Sequence, residues 1–277
     1  MNRIMSGNGL RAARGGAEDS PCPPSGRLTA ALAAAGVSGL LTFSAGAAEL
    51  DKSADALSFL PEHLQTVVTI ADEVAPEGVS AIAINRQSEM SHGEQAAAQG
   101  AAFGLDGSDL KGHFKNDAGV SSMNRRAETA TYSAVEYGDG KKLGVILSFK
   151  DGEKSMAAVL EKKYGGEAPP EVEREFGGEK ALTWAALHEL GHHIDGWSRA
   201  REFEESYDRL RKKASNVNAA SPVGERAAYS IEFAEHTERL RDMEIFADAY
   251  AVVRGAAMEG DTEYGDALVD YRDRGSE

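Results

Sequence analysis

Residues 188–195 read His-Glu-Leu-Gly-His-His-Ile-Asp, and the rest of the chain is interpreted outward from them. They contain H-E-x-x-H as His188, Glu189, Leu190, Gly191 and His192. Helical residues four apart sit about 40° apart around the axis, so both imidazoles can face one ion while Glu189, at the border of that face, reaches a water instead. Leu187, Leu190 and Ile194 form a stripe on the other side of the same wheel, which predicts a helix that binds with one face and is buried by the other. Gly191 costs about 1 kcal/mol of helix propensity relative to Ala, which points to a close approach there by a neighbouring strand or a substrate. His193 falls away from the ligand face and is expected to be solvated or bonded to a carboxylate.

Two imidazoles do not complete a catalytic zinc site, which takes a third protein ligand and leaves a position for water. Cys22 is the only cysteine, so no intrachain disulfide or thiolate cluster can form, and histidines and carboxylates must hold any metal. Residues 241–254, RDMEIFADAYAVVR, offer the missing carboxylate on a second helix. Glu244 and Asp248 lie four apart on one face of it, with Met243, Phe246, Tyr250 and Val253 on the other. Glu244 is the expected third ligand. Asp248 is expected to accept a hydrogen bond from the far nitrogen of His188 or His192 and so fix its tautomer. The cofactor expected is Zn²⁺. His92 and His113 lack spacing to any carboxylate motif and are not taken as ligands.

The chain of 277 residues is 42% hydrophobic, enough to bury a core, and its net charge of −15 is the wrong sign for attraction to phosphate backbones or anionic membranes. Nucleic acid is therefore not an expected partner; a peptide or protein substrate is the partner that the metal motif suggests. Residues 57–74 carry apolar residues at helical spacing, with Pro61 placed to start the main turn. Residues 79–85, 129–137 and 143–149 are predicted strands, rich in β-branched and aromatic residues. Residues 87–126, rich in Gly, Ser, Ala and Asn, are read as a long surface loop, partly helical near 94–102 or serving as an activation or substrate element. Residues 153–163 are a predicted helix, 165–170 a turn, the mixed-charge run 199–213 a solvated helix face, and everything from Glu179 onward mainly helical. The expected fold class is α+β: a strand-containing lobe over 48–176, then a helical lobe over 177–277 carrying the metal site.

Residues 28–48 contain no charged residue and end near Ala45-Gly46-Ala47, which reads as an export signal over 1–47. The protein is then secreted or periplasmic, with no stable membrane insertion once the signal is removed. The alternative is an effector delivered into another cell, with 1–47 as its flexible secretion segment.

The pair HELGHHID and EIFADAY resembles the gluzincin metallopeptidases, in particular the family of the anthrax lethal factor catalytic domain and the Pro-Pro endopeptidases. The resemblance is specific at those two helices. It implies zinc ligands His188, His192 and Glu244, Glu189 as general base, and Asp195 as the family's acidic residue after the second histidine, expected beside the metal shell. It also implies a zincin-like fold with an edge strand over the active-site cleft, for which 143–149 is the candidate by position. The family carries a tyrosine seven residues before the glutamate ligand, where this chain has Thr237. Tyr229 or His236 is left to stabilise the oxyanion. The expected activity is zinc-dependent endopeptidase chemistry by a metal-activated water, in a secreted effector or toxin. A non-catalytic, metal-stabilised binding protein of the same fold is the alternative, and Glu189 beside the ligands argues against it.

Overall fold

A computed structural model describes residues 57–74, 78–115, 130–148, 160–218, 220–260 and 262–273. The expectations for 1–47 and for most of 153–163 lie outside them. All described residues belong to one compact unit, Ala45–Glu277, in which the strand-rich and helical halves share a core.

The chain enters through α1 (Glu62–Val74), which starts directly after Pro61 as the sequence suggests and buries Leu64, Val67, Val68 and Ile70. Strand β1 (Ser80–Asn85) follows. The next segment contains the helix allowed near 94–102, as α2 (His92–Ala102), and a second that the expected loop did not include, α3 (Gly107–Phe114). Helix α2 begins where Ser91 and Glu94 cap each other's backbone, and α3 where Asp106 accepts from Ser108 and Asp109. The two helices close on each other because a Cβ on Gly107 would meet the Ala97 carbonyl at 2.9 Å. Strands β2 (Ala130–Tyr137) and β3 (Lys141–Ser148) form a hairpin.

The sheet order is β1-β3-β2, with β1 parallel and β2 antiparallel to β3. One face sends Ile82, Ile84, Val135, Leu143, Val145 and Leu147 against Leu110 and Phe114 of α3. The other sends Ala81, Ala83 and Ile146 against α1 and the helices that follow. This alternation is what a sheet covered on both sides requires. It also corrects the candidate cleft strand. Residues 143–148 belong to the central strand, and the edge on the helical side is β2.

From Pro170 onward the structure is helical: α4 (Pro170–Phe176), α5 (Gly178–Asp195), α6 (Trp197–Ala214), α7 (Val223–Glu259) and α8 (Glu263–Asp273). Pro170, expected in a turn, instead opens α4, where its missing N–H costs nothing. The molecule is thus mixed α+β, mostly helical with a small three-stranded sheet. Among the described residues no helix is long and apolar enough to cross a membrane.

Candidate metal centre

Helix α5 buries Leu187 and Leu190 completely and presents His188 and His192 on the opposite side, as the wheel predicts. Its partner is α7. At the crossing a Cβ on Gly191 would lie 2.6 Å from the Cα of Ala247, so the close approach anticipated at Gly191 is made by the second helix. The buried stripe of α7 differs from expectation. It is Met243, Ala247, Ala251 and Gly255, while Phe246 and Val253 face solvent. Small residues let two backbones approach, and large ones on this face would hold the helices apart. Gly255 takes the ring of Trp184 where a Cβ would stand.

That approach brings three ligand atoms together. His188 Nε2 lies 3.4 Å and His192 Nε2 3.6 Å from carboxylate oxygens of Glu244, and the ligand atoms of all three residues fall within 4.8 Å of one another. The group can hold a metal ion. His188 Nδ1 is 2.8 Å from Asp248 Oδ1, which assigns the predicted Asp248 contact to His188. Arg272 of α8, absent from the sequence argument, grips Asp248 through Nε at 2.8 Å and Nη2 at 2.7 Å and stands 3.6 Å from Glu244. Burial disfavours the His188 imidazolium, but its bonds to Asp248 and Glu244, with the charge of Glu189, outweigh this and raise its pKa to about 10. Burial likewise opposes ionisation of Glu244, yet the two histidines hold its carboxyl well below the ordinary range. These side chains are arranged around positive charge. The buried Nδ1 of His192 has no hydrogen-bond partner among the described residues.

Glu189 faces the same space. Burial pushes its pKa up, and so does Glu244; His188, His192 and the backbone N–H of Tyr132 act against it. Tyr132 on β2 is a residue the sequence argument missed. Its Oη lies 3.2 Å from Nδ1 of His193, which is fully buried beneath the sheet, contrary to the expected solvated or carboxylate-bonded role. Burial lowers His193 to about 4, and both burial and Glu204 raise Tyr132, so a neutral imidazole meets a neutral phenol. Gly144 on β3 makes room for both, since a Cβ there would stand 2.5 Å from the His193 ring and 2.9 Å from that of Tyr132.

A cleft of about 660 Å³ runs past this group, with Ala130, Thr131 and Tyr132 of β2 on one side and Phe203, Glu204 and Tyr207 of α6 on the other. A smaller recess of about 190 Å³, walled by Phe176, Trp184, Tyr264 and Tyr271, also opens on His188 and Glu189.

Two expected roles fail in this geometry, those of Tyr229 and His236. Tyr229 lies on the same unbroken helix as Glu244, fifteen residues away or about 22 Å along the axis, and stacks on Phe233; no loop intervenes to bring it back. His236 lines the cleft but sits about 12 Å along the helix from Glu244, with Nδ1 2.5 Å from Ser206 Oγ and its ring 4.2 Å from that of Phe203. It is a packing residue of the α6–α7 pair. Asp195 accepts from Arg199 at 2.6 Å, one turn along from α5, while its Oδ2 is buried without a partner among the described residues. His92 is the first residue of α2 and His113 packs edge-on to Phe114, both outside the metal group. Compared with protein families, with curated proteins and with solved structures, the chain matches none of them.

Proposed function

We propose that the protein is a zinc-dependent endopeptidase of gluzincin type, acting on a peptide or protein substrate, with residues 1–47 as an export segment. The observation that carries this reading is the convergence of His188, His192 and Glu244 from two helices with Glu189 facing the same cleft. The spacing favours zinc. Ligands about 2.05 Å from a tetrahedral ion stand about 3.4 Å apart, close to the 3.4 and 3.6 Å found between the histidine nitrogens and Glu244. The donor set of two imidazoles and one carboxylate suits the same ion and leaves a position for water.

Zinc, when bound, supplies a Lewis acid that lowers the pKa of a water and polarises a substrate carbonyl. Glu189 takes the proton of the attacking water and returns it to the leaving amine. The Tyr132 N–H favours the charged, proton-accepting form of Glu189. Asp248, itself held by Arg272, accepts from His188 Nδ1 and keeps Nε2 turned toward Glu244. The cleft along β2 suits an extended chain, and the aromatic recess beside Glu189 suits one of its side chains.

The test joins metal content to turnover. The purified protein should carry one zinc and cleave members of a peptide library, and a chelator should abolish cleavage until zinc is restored. Glu189→Gln should keep the metal and lose about 10²–10⁴-fold in kcat, while His188→Ala should lose both. Zinc bound without any hydrolysis would favour a metal-stabilised binding protein; no zinc bound would end the metal reading.

A further inference from the structure

We propose that Glu204 is a specificity-determining stop on the free edge of β2, marking where an extended substrate chain ceases to pair; the proposal rests on the peptidase reading for the nature of that chain. Strand β2 is the sheet edge beside the metal group, and no other strand pairs with it among the described residues. The Ala134 N–H does not join the ladder to β3 but points outward and donates to Glu204 Oε1 at 3.3 Å. Because strand peptides alternate in direction, those of Tyr132 and Ala130 face the same way. The Tyr132 N–H meets Glu189. Among the described residues the open edge is therefore unoccupied at Ala130, shared with the general base at Tyr132, and occupied at Ala134.

Glu204 is held firmly in that place. The same Oε1 accepts from Ser133 Oγ at 2.6 Å, and Arg201 lies 3.9 Å from Oε2. Exposed strand edges recruit extended chains through their backbone groups, with alternate side chains entering pockets. A chain pairing with β2 from the Ala130 end meets the carboxylate of Glu204 at Ala134, where the donor it needs is already bonded. Residues beyond that point gain no backbone bond. The predicted signature is an affinity that stops improving as a peptide is lengthened in one direction only.

The experiment uses the zinc-loaded full chain carrying Glu189→Gln, so that peptides bind without being cut. Peptides built on a core sequence selected by cleavage with the parent are lengthened one residue at a time at each end, and binding is read by fluorescence anisotropy. In the Glu189→Gln protein, affinity should level off in one direction. Adding Glu204→Ala should lift that plateau, with about two- to tenfold tighter binding per recovered backbone bond. Adding Glu204→Gln, which keeps an acceptor for Ser133 and Ala134, should retain it. Amide exchange without peptide gives a second readout, since Glu204→Ala should speed deuterium uptake at Ala134. A plateau unchanged by Glu204→Ala, no plateau in the starting protein, or unaltered exchange at Ala134 would overturn the stop while leaving the peptidase reading intact. A parent that neither cleaves nor binds any peptide would overturn both.

Discussion

Along β1 the outer peptide groups of Ala83 and Asn85 are met by the carboxamides of Gln99 and Gln95, whereas along β2 those of Ala134 and Tyr132 are met by the carboxylates of Glu204 and Glu189. The chemical difference decides what each edge can do. A carboxamide both donates and accepts. Gln99 takes the Ala83 N–H at 2.8 Å and returns a bond to the Ala83 carbonyl at 2.6 Å, and Gln95 does the same for Asn85 at 2.9 and 3.0 Å. Two side chains of a helix thus stand in for a missing strand, and the β1 edge is sealed. An ionised carboxylate only accepts. It can take an N–H of β2, as Glu204 does at Ala134, but has no proton to offer the strand's carbonyls. One edge is closed by groups that both donate and accept, the other only by acceptors.

The largest effect expected from breaking this contrast is at the sealed edge. Gln99 is fully buried, so Gln99→Ala leaves the N–H and C=O of Ala83 without partners inside the protein. Each stranded group costs about 1–3 kcal/mol, and the pair about 2–6 kcal/mol. Thermal or denaturant unfolding of Gln99→Ala should show that loss, while Glu204→Ala, on the half-exposed β2 side, should show less than half of it. Equal losses would mean that the two edges are not different in kind.

The sealed edge was the least legible part of the sequence, and the reason is physical. Residues 92–102, HGEQAAAQGAA, bury glutamines and small residues rather than large apolar ones, so apolar periodicity leaves the helix there as one alternative to a loop. Two local signals were present, the Ser91…Glu94 capping box and glutamines four apart on one face. The metal group was legible because its chemistry demands fixed spacing: His188 and His192 stand four apart, and so do Glu244 and Asp248. The residues around it were not. Arg272 and Glu204 come from separate helices, inside charge patterns that an ordinary solvated face would also show, and only tertiary contact singles them out. The buried stripe of α7 misled for a related reason, since large apolar residues were chosen where the crossing required Gly and Ala.

That crossing holds α5 against the β2 side of the sheet, and disturbing it should have the next largest effect. Gly191→Ala adds a methyl group 2.6 Å from the Cα of Ala247, a backbone atom that cannot step aside alone. Overpacking of this sort costs about 1–3 kcal/mol, and it outweighs the gain of about 1 kcal/mol that Ala brings to a helix. Gly224→Ala, at the start of α7 where a Cβ meets nothing within 4 Å, keeps only the propensity gain and should unfold at a slightly higher temperature. A Gly191→Ala protein as stable as the parent would show that the helices do not touch so closely.

The smallest effect sharpens the comparison at the open edge itself. Burial raises the Glu204 pKa, with help from Asp208 and against the bonds from Ser133 and the Ala134 N–H and the charge of Arg201. A carboxyl whose folded value lies above its unfolded one contributes stability that is complete below the unfolded value of about 4.3 and is lost as pH rises through the folded value. Near neutrality the charge is therefore a net cost, retained at a position where a neutral amide would seal the strand as Gln99 seals β1. Glu204→Gln should melt higher than the parent at pH 7, by no more than about 2–4 °C because the group is partly solvated, and the gap should close as pH falls toward 4. A variant that melts lower at pH 7, or a gap that widens in acid, would mean that the carboxylate stabilises the fold, and the open edge would then need no functional reason for its charge.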